Sequence, residues 1–173
     1  WNCAEAYAEA NAGGIVSGTG SDADASVDPD ISARITGAVY VDGDVAVSSR
    51  SEGDADAEAR GVSISGYYIG AAIGVSLAEA TLTPDIDTYI SADVDAGRDI
   101  TVTSVHNYDD AGDVIDADAS AYTNASGGGA LSGNGADSDA IAAADVDTYI
   151  GGGLTVAAGR NIDIFRIQNR TAV

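Results

Sequence analysis

The chain has 173 residues with 28 acidic side chains and seven basic ones, all arginine, for a formal net charge of −21. A charge this negative repels a phosphate backbone, which excludes nucleic acid as a partner, and no apolar run reaches the roughly 18 residues of a membrane span, so membrane insertion is not expected. Val and Ile number 15 each against four Leu, beside 33 Ala, 22 Gly, two Pro and neither Lys nor Met, a balance that disfavours a helical bundle and favours strands.

Residues 1–173 read as one domain at this length. With no Met, the chain reads as a mature product or a segment of something longer, and the lone Cys3 leaves no internal disulfide framework. The first strand signal is the alternation Glu5-Ala-Tyr-Ala-Glu-Ala10, followed by a Gly-rich stretch, then Pro29-Asp-Ile31 and the Val-rich Asp44-Val-Ala-Val-Ser-Ser49. The same succession starts again at Asp54-Ala-Asp-Ala-Glu-Ala59 and runs through Gly70-Ala-Ala-Ile-Gly-Val75, Pro84-Asp-Ile-Asp-Thr-Tyr-Ile90 and Ala96-Gly-Arg-Asp-Ile-Thr-Val-Thr-Ser104. A third copy opens at Asp116-Ala-Asp-Ala-Ser-Ala121 and continues through Asp145-Val-Asp-Thr-Tyr-Ile150 to Ala158-Gly-Arg-Asn-Ile-Asp-Ile164.

The offsets between copies are constant over long stretches. Pro29 to Pro84 and Asp44 to Asp99 are each 55 apart, Asp85 to Asp145 is 60, and Ala96 to Ala158 is 62. Three repeats follow, at about 1–49, 50–104 and 105–166. The alternating segments keep period two while using Asp and Ser, which disfavour helix interiors, so they are expected as strands with Ala, Val and Ile inward. So few bulky residues suit a thin core, and hence a parallel β-solenoid of about three sequence repeats. Coils of about 20 to 30 residues would divide each repeat into two or three, for six to eight coils in a rod roughly 30 to 40 Å long. Gly97 and Gly159 are expected to supply positive φ in tight turns. The competing architecture is a β-sandwich pilin-like subunit with a donated strand.

Candidate chemistry is sparse. Asp-x-Asp pairs place two carboxylates on one face of a strand, and the pairs Asp85 and Asp87, Asp145 and Asp147, and Asp137 and Asp139 are the candidate ligands for Ca²⁺. The bland alternative is a solvated acidic face that keeps the rod from aggregating. Tyr67, Tyr68, Tyr89 and Tyr149 are expected to stack along one face, serving cross-coil packing rather than sugar contact. His106 has no nucleophilic partner and is expected in a loop between repeats. Asn124-Ala-Ser126 and Asn169-Arg-Thr171 are acceptor sequences for N-glycosylation at Asn124 and Asn169. No set of residues assembles a catalytic constellation, and an enzyme is not expected.

The Gly70 to Val75 stretch, the Asp-Thr-Tyr-Ile segments and the Ala-Gly-Arg-Asp-Ile-Thr-Val-Thr-Ser run together resemble the repeats of filamentous-haemagglutinin-like and leukotoxin-type large bacterial filamentous adhesins, over about residues 5 to 166. The resemblance implies a right-handed β-solenoid in a secreted or cell-surface fibre. The expected function is therefore structural: a subunit or repeat segment of an extracellular filament assembling by end-to-end strand stacking, with further copies of itself, or the continuation of a longer chain, as partner. The alternative is an adhesive module binding glycans or a surface with Ca²⁺.

Overall fold

The computed structural model describes residues 2–66, 70–115 and 118–169. Tyr67, Tyr68 and Asp116 lie outside them. The described residues form three coils of five strands each, with no helix. The first coil holds β1 (Asn2–Gly14), β2 (Val16–Val27), β3 (Asp30–Ile35), β4 (Val39–Val41) and β5 (Val45–Ser51). The second holds β6 (Gly53–Ser65), β7 (Ala71–Leu82), β8 (Asp85–Ile90), β9 (Val94–Ala96) and β10 (Ile100–His106). The third holds β11 (Ala119–Gly128), β12 (Leu131–Ala142), β13 (Asp145–Ile150), β14 (Val156–Ala158) and β15 (Ile162–Gln168).

Equivalent strands stack in parallel, giving five three-stranded sheets in which the second coil is always central. The pairs follow the offsets read from the sequence: Asp30 beside Asp85, Val45 beside Ile100, Asp85 beside Asp145 and Ala96 beside Ala158. Like segments therefore lie directly over one another. This parallel pairing between copies sets aside the sandwich alternative.

Two expectations need correction. Each sequence repeat is one large coil, not two or three small ones, so the stack has three rungs and is correspondingly shorter than the expected rod. The changes of direction within a coil, such as that at Ile15 between β1 and β2, are as Gly-rich or polar as the junctions between coils, and composition does not distinguish them. In addition, among the described glycines positive φ belongs to Gly112 and Gly153, not to Gly97 or Gly159. Those two turns need glycine for a steric reason. A Cβ on Gly97 would lie 2.5 Å from the carbonyl oxygen of Asp42, and one on Gly159 would lie 2.2 Å from that of Gly97. The turns sit so squarely on one another that only a bare Cα fits.

The long strands of each coil fold back on each other, so that the β1/β6/β11 and β2/β7/β12 sheets face each other across a core that is almost entirely alanine: Ala23 and Ala25 meet Ala55, Ala57, Ala59, Ala78 and Ala80. Alanine at every inward position lets the two sheets approach closely, and nearer the bend even Cβ atoms become excessive. A side chain at Gly61 would come within 2.9 Å of Ser76 Oγ. Two hydroxyl pairs bridge the sheets in this half, Ser17 with Ser63 at 2.8 Å and Ser21 donating to Ser76 at 3.0 Å.

The three remaining sheets enclose a second core of Val45, Val47, Ile90, Val94, Ala96, Ile100 and Val102. Through it runs a zigzag of hydroxyls linking all three coils: Thr148 donates to Ser104 at 2.7 Å, Ser104 donates to Thr88 at 2.8 Å, and Thr88 bonds Ser49. A buried hydroxyl left without a partner costs about 1–3 kcal/mol, so this run fixes the vertical register as firmly as the apolar residues around it.

Because the Gly97 clearance depends on stacking and not on φ, Gly97→Ala is expected to destabilise the protein by about 1–3 kcal/mol, as overpacking does. Gly43→Ala, whose Cβ would meet only Arg98 Nη2 at 3.8 Å, is expected to change stability by no more than about 0.5 kcal/mol. Denaturant titration of the two variants makes the comparison, and equal effects would contradict it.

Candidate functional site

Parallel stacking turns each outward position into a column of three side chains, one per coil. On the β3/β8/β13 sheet the columns are Asp30, Asp85 and Asp145; Ser32, Asp87 and Asp147; and Arg34, Tyr89 and Tyr149. Four of the six predicted Ca²⁺ ligands thus share one face. Asp137 and Asp139 stand elsewhere, on β12, beside Leu77 and Glu79. Tyr89 and Tyr149 stack with ring centroids 5.1 Å apart and planes 6° from parallel, and Arg34 donates to the Tyr89 hydroxyl at 3.3 Å. The expected tyrosine stack is present at these two positions, and it packs coil against coil.

The tightest acidic grouping among the described residues is a different one: Asp54, Asp56 and Asp118, each able to present a carboxylate oxygen within 4.8 Å of the others. They lie on the outward face of the β1/β6/β11 sheet. Asp54 and Asp56 are neighbours on one face of β6, and Asp118 precedes β11, its backbone N–H donating to Asp54 Oδ1 at 3.4 Å. Three adjacent, partly exposed carboxylates are the chemistry a hard cation takes. The sequence contains both Asp-x-Asp pairs involved, but aligning the alternating Ala segments by their first acidic residue equates Glu5 with Asp54 and Asp54 with Asp116. In the structure Glu5 lies beside Asp56 and Asp54 is bonded to Asp118. A slip of two residues leaves every side chain on the same face, so an alternating Ala run does not reveal its own register.

Beside this cluster lies an open groove of about 440 Å³, with Glu5, Asp56 and Glu58 along it and Tyr7 and Tyr122 on either side of Glu58. Arg60 forms an ion pair with Glu58 and sits 5.9 Å from the centre of the Tyr7 ring. The Tyr7 hydroxyl donates to Glu9 at 2.7 Å, which holds the phenol's pKa up, while hydrogen bonds from Asn11 and Tyr7 hold the Glu9 carboxyl below the usual range. Of the two glycosylation candidates, Asn124 is exposed on the outward face of β11. Asn169 is the last described residue, and the rest of its acceptor sequence lies outside the described residues. His106 is not in a loop: it ends β10 at an inward, buried position two residues beyond Ser104.

The acidic columns leave an electrostatic signature. Partial burial, with Asp54, Asp118 and Glu5 nearby, raises the Asp56 pKa, and desolvation with Asp87, Asp145, Asp30 and Asp147 nearby raises that of Asp85. A carboxyl whose pKa is raised on folding binds more protons in the folded than in the unfolded state. Its ionisation therefore costs stability as pH rises from the usual carboxylate range through the raised value. Asp56→Asn is expected to raise the melting temperature at pH 7, with the gain shrinking as pH falls below the usual carboxylate range. A gain independent of pH, or a loss at pH 7, would contradict the assignment.

Comparison with protein-family models, with curated proteins and with solved structures finds no match to this chain.

Proposed function

We propose that this chain is a structural segment of an extracellular fibre, a length of β-solenoid whose role is to carry a stack of coils onward. The observation that carries this reading is the state of the two ends. Among the described residues the first and third coils form the edges of all five sheets, so alternate main-chain N–H and C=O groups along each edge have no ladder partner there. At the third coil the core itself is open: Ile162 and Ile164 are 43% and 45% exposed, whereas their register partners Ile100 and Val102 in the second coil are 0% exposed. Side chains of this kind at such an edge are the inside of a longer stack. The outward acidic columns keep such a fibre soluble and oppose sideways association. Its placement outside the cell rests on the resemblance of the repeats to those of bacterial filamentous adhesins.

A second reading, a glycan-binding adhesive module, draws on the groove between Tyr7 and Tyr122, where aromatic faces and carboxylates adjoin. Glycan-array binding that disappears in a Tyr7→Ala/Tyr122→Ala variant of unchanged stability would favour it, and the absence of any array signal for the parent chain would remove it.

The structural reading is tested by extending the stack. A chain of residues 1–168 followed by a second copy of residues 52–168, with Arg166 of the first copy changed to Ser, adds two coils. Small-angle scattering is expected to give one particle longer by about 10 Å, two strand spacings, which unfolds in a single transition. An appended copy that unfolds separately, joined as a second bead, would overturn the reading. Labelling of intact source cells with an antibody is expected to stain their surface, and an internal location would overturn the extracellular assignment.

A further inference from the structure

Resting on that reading, we infer that Asp42 is the specificity residue of the first coil's edge: its Cβ keeps the third coil of a second copy from seating there in register, so the chain does not extend by simple head-to-tail addition of itself. The turn after β4, β9 and β14 forms one column, with Val41, Ala96 and Ala158 stacked at its start and Asp42, Gly97 and Gly159 following them. The rungs are joined by main-chain bonds from Gly97 N to Val41 O at 2.7 Å and from Gly159 N to Ala96 O at 2.9 Å. In each rung that has a coil beneath it, the residue is glycine, and an added Cβ would meet the backbone below at 2.5 Å or less. Asp42 occupies the same place in the first coil, beneath which there is no coil among the described residues. If the third coil of another copy came there in the same geometry, the Asp42 Cβ would be driven into the Gly159 carbonyl.

An independent set of contacts in the same turn also ends here. The second and third coils each send an arginine down to the carboxylate of the coil below: Arg98 reaches Asp44 at 2.8 Å and Arg160 reaches Asp99 at 2.6 Å. Those carboxylates also accept the main-chain N–H above them, Asp44 from Asp99 at 3.1 Å and Asp99 from Asn161 at 3.1 Å. A copy seated on the third coil would place Gly43, which has no side chain, where the arginine belongs, above Asn161, which has no charge. The ion-pair ladder therefore has no rung to offer at a self-junction. The hydroxyl zigzag stops within the same limits, with Ala33 in the Thr88 column and Arg166 in the Ser104 column. Arg166 Nη1 donates to the carbonyl of Val146, on the third coil. The edge of the third coil thus fits a coil that has glycine at the first position of this turn, as the second and third coils have, and rejects one with Asp42 there.

The test compares three chains: the parent, Asp42→Gly/Arg166→Ser and Asp42→Ala/Arg166→Ser, at 0.15 M salt and above to screen the charge. They are followed by sedimentation and negative-stain microscopy, with the melting temperature of each recorded. The parent and the Ala variant are expected to remain single particles, and the Gly variant to form end-to-end stacks at a concentration at least tenfold below any at which the others associate. A triple change, Asp42→Gly/Gly43→Arg/Asn161→Asp on the Arg166→Ser background, restores the ion pair across the junction and is expected to lower that concentration further. The inference is overturned if the parent stacks end to end, if the Ala variant stacks as readily as the Gly variant, or if both folded Gly variants stay single. Failure here with a lengthened particle in the tandem chain removes the Asp42 assignment and leaves the structural reading standing; a tandem chain that does not lengthen removes that reading by itself.

Discussion

Everything in this molecule follows from laying one long coil directly on another so that main-chain groups pair in parallel and in register. Strands paired this way are about 4.8 Å apart, and each side chain has its counterpart in the next coil as its nearest neighbour. Every position in the repeat is therefore a column, and it must be filled by residues that tolerate their own kind at that spacing. Stacked tyrosines meet the demand at Tyr89 and Tyr149, and alternating hydroxyls meet it at Ser49, Thr88, Ser104 and Thr148. Glycine meets it where backbones nearly touch, at Gly97 and Gly159. The poverty of large residues has the same origin: an alanine interior lets the two long sheets close on each other without a bulky filling.

The constraint is hardest to meet for charge. Asp30, Asp85 and Asp145 form a column of like charges, and Asp54, Asp56 and Asp118 crowd together on another face. Desolvation first, and then the neighbouring carboxylates, raise the pKa values of Asp56 and Asp85. Where the chain relieves this crowding, the means are local and directional. The carboxylates of Asp44, Asp93 and Asp99 accept a backbone N–H from the coil above, so the acidic side chain becomes a staple between rungs. The surplus that remains makes the surface strongly negative, which opposes sideways association of the stack.

Much of the fold was legible in the sequence because a repeat in a stacked solenoid is the register itself: the spacings of 55, 60 and 62 residues are the distances along the chain between hydrogen-bonded partners. Legibility failed where the pattern is degenerate. The Ala alternation of β1, β6 and β11 can slide by two residues without exposing its apolar face, so the partner of Asp54 was hidden, and with it the closest carboxylate cluster. Turns within a coil and junctions between coils share a composition, so the number of coils was not readable. The role of Gly97 was hidden for a related reason: the backbone beneath it belongs to Asp42, a residue 55 positions earlier. His106, by contrast, was readable in principle, since continuing the inward alternation of Val102 and Ser104 places it inside.

The most direct measurement of the stacked register is residue-resolved amide hydrogen exchange of the intact chain. In a parallel ladder alternate residues point to opposite neighbours, so a coil with a neighbour on each side has every strand amide bonded, and an end coil only every second one. Exchange in β6 to β10 is expected to be uniformly slow, while β1 to β5 and β11 to β15 alternate slow and fast along each strand. Uniform protection of β1 with β2, or of β6 with β7, and fast exchange through β8 to β10 would indicate hairpins paired within a coil and would contradict the stack.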